Sequence, residues 1–565
     1  MQPGAIPTQQ PVPRAGDKPF PFARPPELNG NVPLHDVVII GAGPVGLTLA
    51  HALAAQGLAP IVLEKADCVG AGSKALGMSG RTMEIWDAIG VADAVRARGL
   101  VWDRGTSFYR GKAILDYRMD WDRSAKFPPM TNLQQDEADL LLAEAFIARG
   151  RGELRWLSEC TAIANEKDHV HLGVSTPEGT YELRARYAVA CDGGRSFARS
   201  ALGCRLHGDS LPARFVIVDI ALDSDLEPGR RAWFDPVANP GSSILMHRQP
   251  GNIWRLDYQV PQSQSLEEAI QPDAIRAFVQ THLDMLGETG HWDLVWSSSY
   301  QARGMTLDDY VCGRTIFAGD AAHLTPIFGI RGLNSGVEDA WTLGWILPRL
   351  LDGRAGEALL RAYSLERVAA ARTNIDLGSR SAEIMAPSSR ARRLVRDAVL
   401  SLALDAPEFG RELTPRQGSA ARIIGSPLNG MDDLAPDDRT FVTVGDVVPN
   451  LKVVTSDGAE RHLHDLLLPY RFTLLTVSQE GPPEPLASMH LGDDPVPVLR
   501  VSATSTHDGI DAVVPGIAKY MRQGREVWLI RPDHIIAAKW NRASAEAIAA
   551  ALRQAQPADD GEKAI

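Results

Sequence analysis

The stretch VVIIGAGPVGLTLAHALAAQG, from Val37 to Gly57, decides the fold. Its four leading apolar residues predict a buried strand, and the alanine- and leucine-rich segment after the glycines predicts a helix. Gly41 permits the tight turn between them, Gly43 lets the backbone approach a pyrophosphate, and Gly46 lets the helix pack closely on the strand. The spacing therefore predicts a Rossmann-like turn that binds a dinucleotide.

The helix after these glycines begins at Pro44 and Val45, where free N–H groups and the positive end of the helix dipole favour phosphate. A second strand, PIVLEK, then ends in Glu64 at about the spacing expected for an acid that accepts hydrogen bonds from ribose hydroxyls. Such an acid would repel a 2′-phosphate. The site is therefore predicted to hold FAD or NAD(H) rather than NADP(H).

A second glycine-rich corner lies in RTIFAGDAAHLTPIFGIRGLNSGVEDAWTLGWIL, residues 314–347. It begins as a strand, and the carboxylate of Asp320 at the strand end suits the hydroxyls of a flavin ribityl chain. Pro326 stiffens the loop that leads to the next helix. The first residues of that helix are Gly332, Leu333 and Asn334. Their N–H groups could face a flavin pyrimidine edge, which carries negative charge when reduced, whereas nicotinamide offers no such anion.

Length and composition limit the other classes of function. The chain has 565 residues and a net charge of −12, and at about 150 residues per domain this length predicts three or four domains. An acidic chain without a lysine-rich block is not expected to bind nucleic acid or an anionic membrane. No apolar run approaches the roughly 20 residues of a membrane span.

The five cysteines are scattered and never spaced as CxxC, so neither structural disulfides nor a metal site are expected. The N-terminal segment has no apolar core flanked by an early basic region, which argues against a secretory signal. These features together predict a cytoplasmic protein.

The segments described so far resemble the FAD-dependent group A aromatic hydroxylases, the p-hydroxybenzoate and phenol hydroxylase family. The resemblance covers residues 35–385. It rests on the glycine turn with its acid, on the Gly-Asp corner, and on ACDGGRSFAR (190–199), which is similar to the family's DGxxSxxR segment and contains Asp192. By resemblance, Gln135 is a flavin-contacting glutamine, with Gln134 as the competing register. Lys74 stands where the family commonly has an arginine near the flavin.

The resemblance implies a division of the chain into an α/β protein with a Rossmann-like FAD-binding domain, an interleaved β-sheet substrate domain and a C-terminal thioredoxin-like α/β domain. The predicted parts are a disordered arm (1–33), the FAD-binding domain (34–110, 131–210 and 300–385), the substrate domain (111–130 and 211–299), a helical linker (386–438) and the thioredoxin-like domain (439–555). That last domain contains no cysteine, so thiol–disulfide chemistry is not expected there.

The same resemblance implies an activity. FAD is reduced by NADH or NADPH, reacts with O₂ to a flavin C4a-hydroperoxide, and passes one oxygen to an electron-rich ring. In this family NAD(P)H has no Rossmann site of its own, and this chain shows no second GxGxxG after a strand. The sequence therefore predicts a single-component FAD monooxygenase that hydroxylates a small phenolic or related aromatic compound, with a homodimer as the expected assembly.

Candidate catalytic residues lie on the predicted pocket strands SSILMHRQ and IWRLDYQV. Arg255 and Asp257 are two apart and share one sheet face, so they could orient and deprotonate a phenol. A salt pair on the solvent face is the alternative interpretation of the same two residues. His247 and Tyr258 are the other candidates for ring activation.

Two other functions fit the same motifs. A flavoprotein of this fold could oxidise a polyketide, an antibiotic or a non-aromatic ring. The chain could also be a non-catalytic, redox-responsive protein that binds flavin and uses its cysteine-free tail as a scaffold.

Overall fold

The computed structural model describes residues 15–70, 72, 74–261, 263–406, 408–411, 421–433, 441–486, 489–492, 494–504 and 509–558. Within these ranges the chain is a mixed α/β protein built on three large sheets, which confirms the predicted fold class. No helix in these ranges is long and apolar enough to cross a membrane. No group of three histidine, cysteine, aspartate or glutamate side chains in them could hold a metal ion.

The first large sheet, here the dinucleotide sheet, contains the glycine turn. In spatial order its strands are Val311–Cys312, Thr315–Phe317, Gly179–Ala190, Leu34–Ile40, Ile61–Leu63 and Glu153–Arg155, with Val170–Thr176 and Glu159–Asn165 added in succession to Gly179–Ala190. Its central strands are parallel and apolar because helices cover both faces. Their carboxyl ends therefore meet at one edge, where Cys191 N donates to Ile40 O at 2.8 Å and Ala318 N donates to Ala190 O at 3.1 Å.

The second large sheet, here the pocket sheet, is mostly antiparallel. In spatial order its strands are His323–Leu324, Trp292–Thr306, His207–Leu222, Ile253–Gln259, Ser243–Arg248, Arg230–Phe234, Arg104–Tyr109 and Lys112–Arg118. One face packs under the helix Pro272–Leu286 through alternate residues such as Trp254 and Leu256. The residues between them point to the opposite face of the sheet.

The third large sheet, here the tail sheet, lies in the C-terminal part. In spatial order its strands are Glu460–His462, Lys452–Thr455, Ala512–Val513, Val498–Ser502, Thr473–Ser478, Arg525–Ile530 and Ile536–Trp540. Two small sheets complete the strands of the described residues: Gly77–Ser79, Met130–Asn132 and Leu100–Trp102 in one, and Met489–Leu491 with Asp494–Val496 in the other.

The helices surround and connect these sheets. The α-helices of the described residues are Pro44–Ala55, Gly80–Ala88, Ala92–Arg98, Gln135–Arg149, Phe197–Ala201, Leu266–Ala269, Pro272–Leu286, Gly332–Leu351, Ala358–Met385, Arg390–Leu402, Glu408–Arg411, Leu463–Leu466 and Ala545–Ala555. Short 3₁₀ turns occur at Ala15–Asp17, Pro26–Asn29, Pro250–Asn252, Gly319–Ala321 and Ile517–Tyr520.

The tail sheet is joined to the rest by a buried ionic network. Arg531 Nη2 lies 3.0 Å from Glu366 Oε2 on the helix Ala358–Met385 and 2.7 Å from Asp533 Oδ2. Asp533 Oδ2 also accepts a hydrogen bond from Trp345 Nε1 at 3.1 Å. Since these side chains are almost fully buried, the C-terminal part packs against the dinucleotide-binding part as one core.

The predicted arm is wrong for residues 15–33, whereas residues 1–14 lie outside the described residues. Phe20 stacks on Trp156 with ring centroids 4.4 Å apart. Glu27 is buried and pairs with Arg155 at 3.0 Å. A proline-rich composition suggested a segment without a core, but one aromatic ring and one buried ion pair attach it to the dinucleotide sheet.

Two predicted boundaries also need correction. The strand Arg104–Tyr109 pairs with Arg230–Phe234, so it belongs to the pocket sheet rather than to the FAD-binding part. The strand Trp292–Thr306 runs across the predicted boundary at 299/300. In the predicted linker, Arg390–Leu402 is helical as expected, and residues 407, 412–420 and 434–438 lie outside the described residues.

Candidate active site

The glycine turn is shaped by close backbone contacts. Gly41 has φ +103°, and a Cβ there would lie 2.5 Å from the carbonyl oxygen of Cys191. A Cβ at Gly46 would lie 2.1 Å from Gly41 O, so Gly46 serves the packing role predicted for it. Among the described residues, no atom other than those of its own chain neighbours lies within 4 Å of the position of a Cβ at Gly43. The turn is therefore closed on the side of the sheet and open where a phosphate would approach.

Glu64 stands beside this turn at the end of its strand. Its Oε2 accepts a hydrogen bond from Ala42 N at 3.0 Å, and its Oε1 accepts one from Ala66 N at 3.1 Å. These two contacts hold the half-buried carboxylate at the same sheet edge as the glycines.

Asp192 follows the strand that lies next to the glycine turn. Its Oδ2 accepts from Ala198 N at 3.0 Å, while its buried Oδ1 has no hydrogen-bond partner among the described residues. Arg199 of the same segment donates to Ala321 O at 3.0 Å and to Gly194 O at 2.8 Å. The DGxxSxxR segment thereby joins the glycine turn to the Gly-Asp corner.

Asp320 occupies that corner and is exposed to the adjoining cavity. Enclosure by the cavity walls raises the pKa of its carboxyl, against the lowering effect of His323, Lys74 and Arg199. Pro326, predicted to stiffen the loop before the next helix, does not line the cavity: it is buried against the helix Ala358–Met385, where a Cβ at Gly378 would be 3.2 Å from its Cδ. Pro326 therefore supports the loop from behind.

The helix Gly332–Leu351 begins at the cavity. Its first-turn N–H groups have no partners within the helix, and the side chain of Asn334 fixes their position. Asn334 Oδ1 accepts from Ser79 N at 2.9 Å and Thr82 Oγ1 at 2.6 Å, and its Nδ2 donates to Gly77 O at 3.0 Å. The side chain of Asn334 thus links the start of the helix to a neighbouring strand, and its backbone borders the cavity.

Of the two competing glutamines, Gln135 lines the cavity and Gln134 precedes its helix as the N-cap. Gln135 Oε1 accepts from Ala75 N at 3.0 Å, and its Nε2 donates to Asp139 Oδ2 at 3.3 Å. Lys74 is exposed and also lines the cavity.

All these features border one cavity of about 1050 Å³, which reaches from the glycine turn past the Gly-Asp corner to the pocket sheet. The predicted residues that line it are Gly41, Gly43, Pro44, Val45, Glu64, Lys74, Gln135, Asp192, Asp320, Gly332, Leu333, Asn334, His247, Arg255 and Asp257. Those that do not are Gly46, Pro326 and Tyr258.

Arg255 and Asp257 share the cavity face of the pocket sheet, so the alternative of a pair on the solvent face is wrong. Both are buried, and Arg255 pairs with Asp219 rather than with Asp257. Arg255 Nε donates to Asp219 Oδ1 at 3.0 Å, and Gln249 Nε2 donates to the same oxygen at 2.8 Å. Asp219 and Asp257 raise the pKa of Arg255 although burial opposes its charge.

Asp257 is left without a hydrogen bond from any other described side chain, because Asp219 takes the guanidinium of Arg255. Burial raises the pKa of Asp257 to about 6, against the lowering effect of Arg255. Burial, with Arg230 and Arg255, lowers the pKa of His247 well below its usual range. His247 is therefore a neutral, weak base, and Asp257 is the group on this face whose pKa suits proton transfer near neutral pH.

Tyr258 faces away from the cavity, so its predicted catalytic role is wrong. It stacks on Phe278 with ring centroids 3.6 Å apart, and burial raises the pKa of its hydroxyl. The physical reason is the alternation of a strand, which places neighbours of Asp257 on the opposite face.

Sequence reasoning missed several residues of the charged face. Asp219, Arg230 and Trp296 all line or support it, and they lie in one row across adjacent strands with His247 and Arg255. A signal was present: Arg230 precedes Ala232 and Phe234 at alternate positions in RRAWF, which places a charge on the inward face.

Two family models match the chain. Residues 35–377 match a model described as FAD binding domain, and residues 442–556 match one described as aromatic-ring hydroxylase, C-terminal. Because the first covers more than half of the chain, the chain belongs to this family of FAD-binding proteins, and it carries the C-terminal domain of aromatic-ring hydroxylases. The predicted resemblance and the FAD cofactor are confirmed.

Relatives named 3-(3-hydroxy-phenyl)propionate/3-hydroxycinnamic acid hydroxylase resemble the chain. The relative from Mycolicibacterium smegmatis is 30% identical over 66% of this chain and 66% of its own length. The one from Burkholderia cenocepacia is 27% identical over 93% of this chain and 98% of its own. The match spans just under two thirds of the length of several of these relatives, such as 64% of that from Mycobacterium sp. strain KMS.

Solved structures share the fold. The flavin-dependent monooxygenase PieE, in complex with FAD and substrate, has a TM-score of 0.76 and 22% identity over 92% of this chain and 99% of its own. Aklavinone-11 hydroxylase with FAD and aklavinone has a TM-score of 0.73 and 23% identity over 93% and 99%. p-Nitrophenol 4-monooxygenase from Pseudomonas putida has a TM-score of 0.59 and 25% identity over 68% and 97%.

The residues around the cavity fit FAD. Gly43 leaves open space beside the glycine turn. Asp192 presents a buried oxygen without a partner among the described residues, and two helix N-termini open into the same cavity. Its volume of about 1050 Å³ is slightly above the range of typical small-molecule sites, roughly 300–1,000 Å³. There is thus room for a dinucleotide at one end and a second ligand at the other.

Proposed function

We propose that this chain is a single-component FAD monooxygenase that hydroxylates a phenolic ring with NAD(P)H and O₂. The observation that carries the proposal is Asp257, a buried carboxyl of raised pKa in the same cavity as the FAD-binding turn. The relatives named as hydroxyphenylpropionate hydroxylases support a hydroxylated aromatic ring as the substrate.

Bound FAD supplies electron transfer from NAD(P)H and the activation of O₂. The glycine turn with Pro44 and Val45 would hold the pyrophosphate, and Glu64 the ribose. Asp320 would accept hydrogen bonds from the ribityl chain. The N–H groups at the start of the helix Gly332–Leu351 would stabilise negative charge on the flavin ring.

The pocket sheet would bind the substrate and exclude water. Asp257 would remove the phenol proton, since a carboxylate of pKa about 6 is ionised at neutral pH and lies on the cavity wall. Arg255, held by Asp219, would keep that carboxylate ionised. In the net reaction one oxygen atom of O₂ forms the new C–O bond as the ring proton leaves. The other oxygen atom leaves as water, with both electrons coming from NAD(P)H.

The test is turnover of the FAD-loaded protein with 3-(3-hydroxyphenyl)propionate. We expect NADH or NADPH oxidation to accelerate when the phenol is present, and the product to carry one oxygen atom from isotopically labelled O₂. The matched control is Asp257→Asn, which should retain FAD and lose most of the product. Peroxide in full yield with every phenol tested, and no hydroxylated product, would overturn the proposal.

The sequence and the resemblance also support a cytoplasmic location and a homodimer as parts of this proposal. Light scattering of the purified holoprotein measures the assembly, and a monomer at all concentrations contradicts the dimer.

A further inference from the structure

Arg230 is a buried cation on the cavity wall that the proposed reaction does not use. It is 4% exposed and lines the cavity, yet its Nε and Nη1 atoms have no hydrogen-bond partner among the described residues. No described carboxylate lies within 4.0 Å of it to form an ion pair. Because a buried charge is unfavourable unless it is paired, this arginine points to an anion supplied from outside the chain.

The neighbours of Arg230 do not provide that anion. In its row across the sheet it stands next to His247, which is neutral, and then Arg255, which Asp219 already neutralises. Asp257 interacts with Arg230 only at a distance: the positive charge of Arg230 is one of those that lower the pKa of the Asp257 carboxyl. On the other side of Arg230 lies a void of about 10 Å³, which is roughly the size of one water molecule. A larger anion must therefore enter from the main cavity.

The position of Arg230 separates it from the FAD-binding end. Its strand lies two strands beyond that of Asp257, away from the strand His323–Leu324 that adjoins the Gly-Asp corner. At about 4.8 Å between strands, the two backbones are roughly 10 Å apart. A phenyl ring with a short side chain spans such a distance, with its hydroxyl at Asp257 and the end of its side chain at Arg230.

We infer that Arg230 binds a carboxylate on the side chain of the aromatic substrate and makes the enzyme select anionic phenols over neutral ones. This inference rests on the proposed function, whose substrate it specifies. The planar guanidinium matches a carboxylate through paired hydrogen bonds. Leu245, on the neighbouring strand, adds an apolar side chain to the cavity wall beside it, which suits the aromatic part of such a substrate.

The test compares two ligands of equal size, 3-(3-hydroxyphenyl)propionate and its uncharged amide 3-(3-hydroxyphenyl)propanamide. Their dissociation constants are measured on the FAD-loaded protein from the change in flavin absorbance. We expect the wild-type protein to bind the propionate at least about 10-fold more tightly, as for a hydrogen bond to a charged group. Arg230→Met should abolish that preference by weakening the propionate alone.

The matched control is Arg231→Met. Arg231 is the next residue of the same strand, faces the opposite side of the sheet and lies over the ring of Trp254. It should retain the wild-type preference. If Arg230→Met does not fold, Arg230→Lys decides the question, because lysine keeps the charge and loses the paired geometry. It should weaken the propionate several-fold and leave the amide unchanged.

The inference is overturned if the wild-type protein binds both ligands equally or binds neither, or if the preference persists in the Arg230 variants. Failure of the proposed function looks different. An Arg230-dependent preference without hydroxylated product would support the inference and refute the function. Hydroxylation of both ligands without any preference would do the reverse.

Discussion

Asp339 accepts a hydrogen bond from His323 Nε2 at 2.7 Å, and neither side chain is exposed. The same Oδ2 accepts from Gly319 N at 3.0 Å, while Oδ1 accepts from Arg367 Nε at 2.6 Å. One carboxylate on the helix Gly332–Leu351 therefore fixes both the Gly-Asp corner and the loop that leads to the helix start. Arg367 and His323 lower the pKa of Asp339 although burial opposes its charge.

Asp339→Asn should destabilise the protein and weaken FAD retention. The amide leaves the buried guanidinium of Arg367 with Glu338, at 3.3 Å, as its remaining charged partner, so we expect a loss of about 3 kcal/mol in the free energy of unfolding. Thermal unfolding of the holoprotein measures the effect. The control is Asp352→Asn, which removes an exposed partner of Arg354 and should change the melting temperature little. Equal melting temperatures for both variants would contradict the prediction.

Asp320→Ala should lower the affinity for FAD. The change removes a charged acceptor facing the cavity, which is worth about 1.5–3 kcal/mol of binding, or at least a tenfold rise in the dissociation constant. The constant is measured by titrating FAD into protein stripped of its cofactor. An unchanged affinity would show that this carboxylate does not contact the ribityl chain.

Activity should depend on the ionisation of Asp257. Burial raises its pKa to about 6, so the base form is lost as the pH falls below that value. The charged groups that face it are Arg255, Asp219 and Arg230, with His247 neutral beside them. We expect kcat/KM for hydroxylation to fall below about pH 6 and to lose this limb in Asp257→Asn. Tyr258→Phe, on the other face, should keep the wild-type profile, and a shared loss in both variants would argue against Asp257 as the base.

Asp257→Asn should also stabilise the fold at high pH. Burial raises the pKa of Asp257 from 3.8 to about 6, so the unfolded chain releases its proton first. The cost of ionisation therefore develops between those pH values and is complete above about pH 6. At pH 8 we expect Asp257→Asn to gain on the order of 3 kcal/mol, and at pH 4 much less. A lower melting temperature of the variant at pH 8 is the outcome that contradicts this.

Local pattern was enough to predict the backbone geometry of the glycine turn and of the Gly-Asp corner at the edge of the cavity. Gly41, Gly46 and Asp320 have roles set by backbone geometry at strand ends, and such geometry has a sequence signature of a few residues. The strand alternation also placed Arg255 and Asp257 on one face. For the same reason it could have excluded Tyr258, which immediately follows Asp257.

The sequence pattern could not show which residue on a neighbouring strand pairs with each charged side chain. Arg255 pairs with Asp219, which is 36 residues away in the chain, because antiparallel register places them opposite each other. Arg230 joins the same row because its strand pairs with the strand that contains His247. The sequences of the two separate segments do not reveal that pairing. The attachment of Phe20 to Trp156 is likewise a long-range contact, and composition alone favoured a loose arm.

The network around Arg531 has a consequence for folding. Phe472, Leu474 and Trp540 of the C-terminal part belong to the same apolar cluster as Val38 and Leu47 of the glycine turn. If one half of such a shared cluster unfolds, the apolar side chains of the other half become exposed to water. The two parts should therefore melt as a single cooperative unit, in which a weak point in the tail sheet loosens the nucleotide end as well.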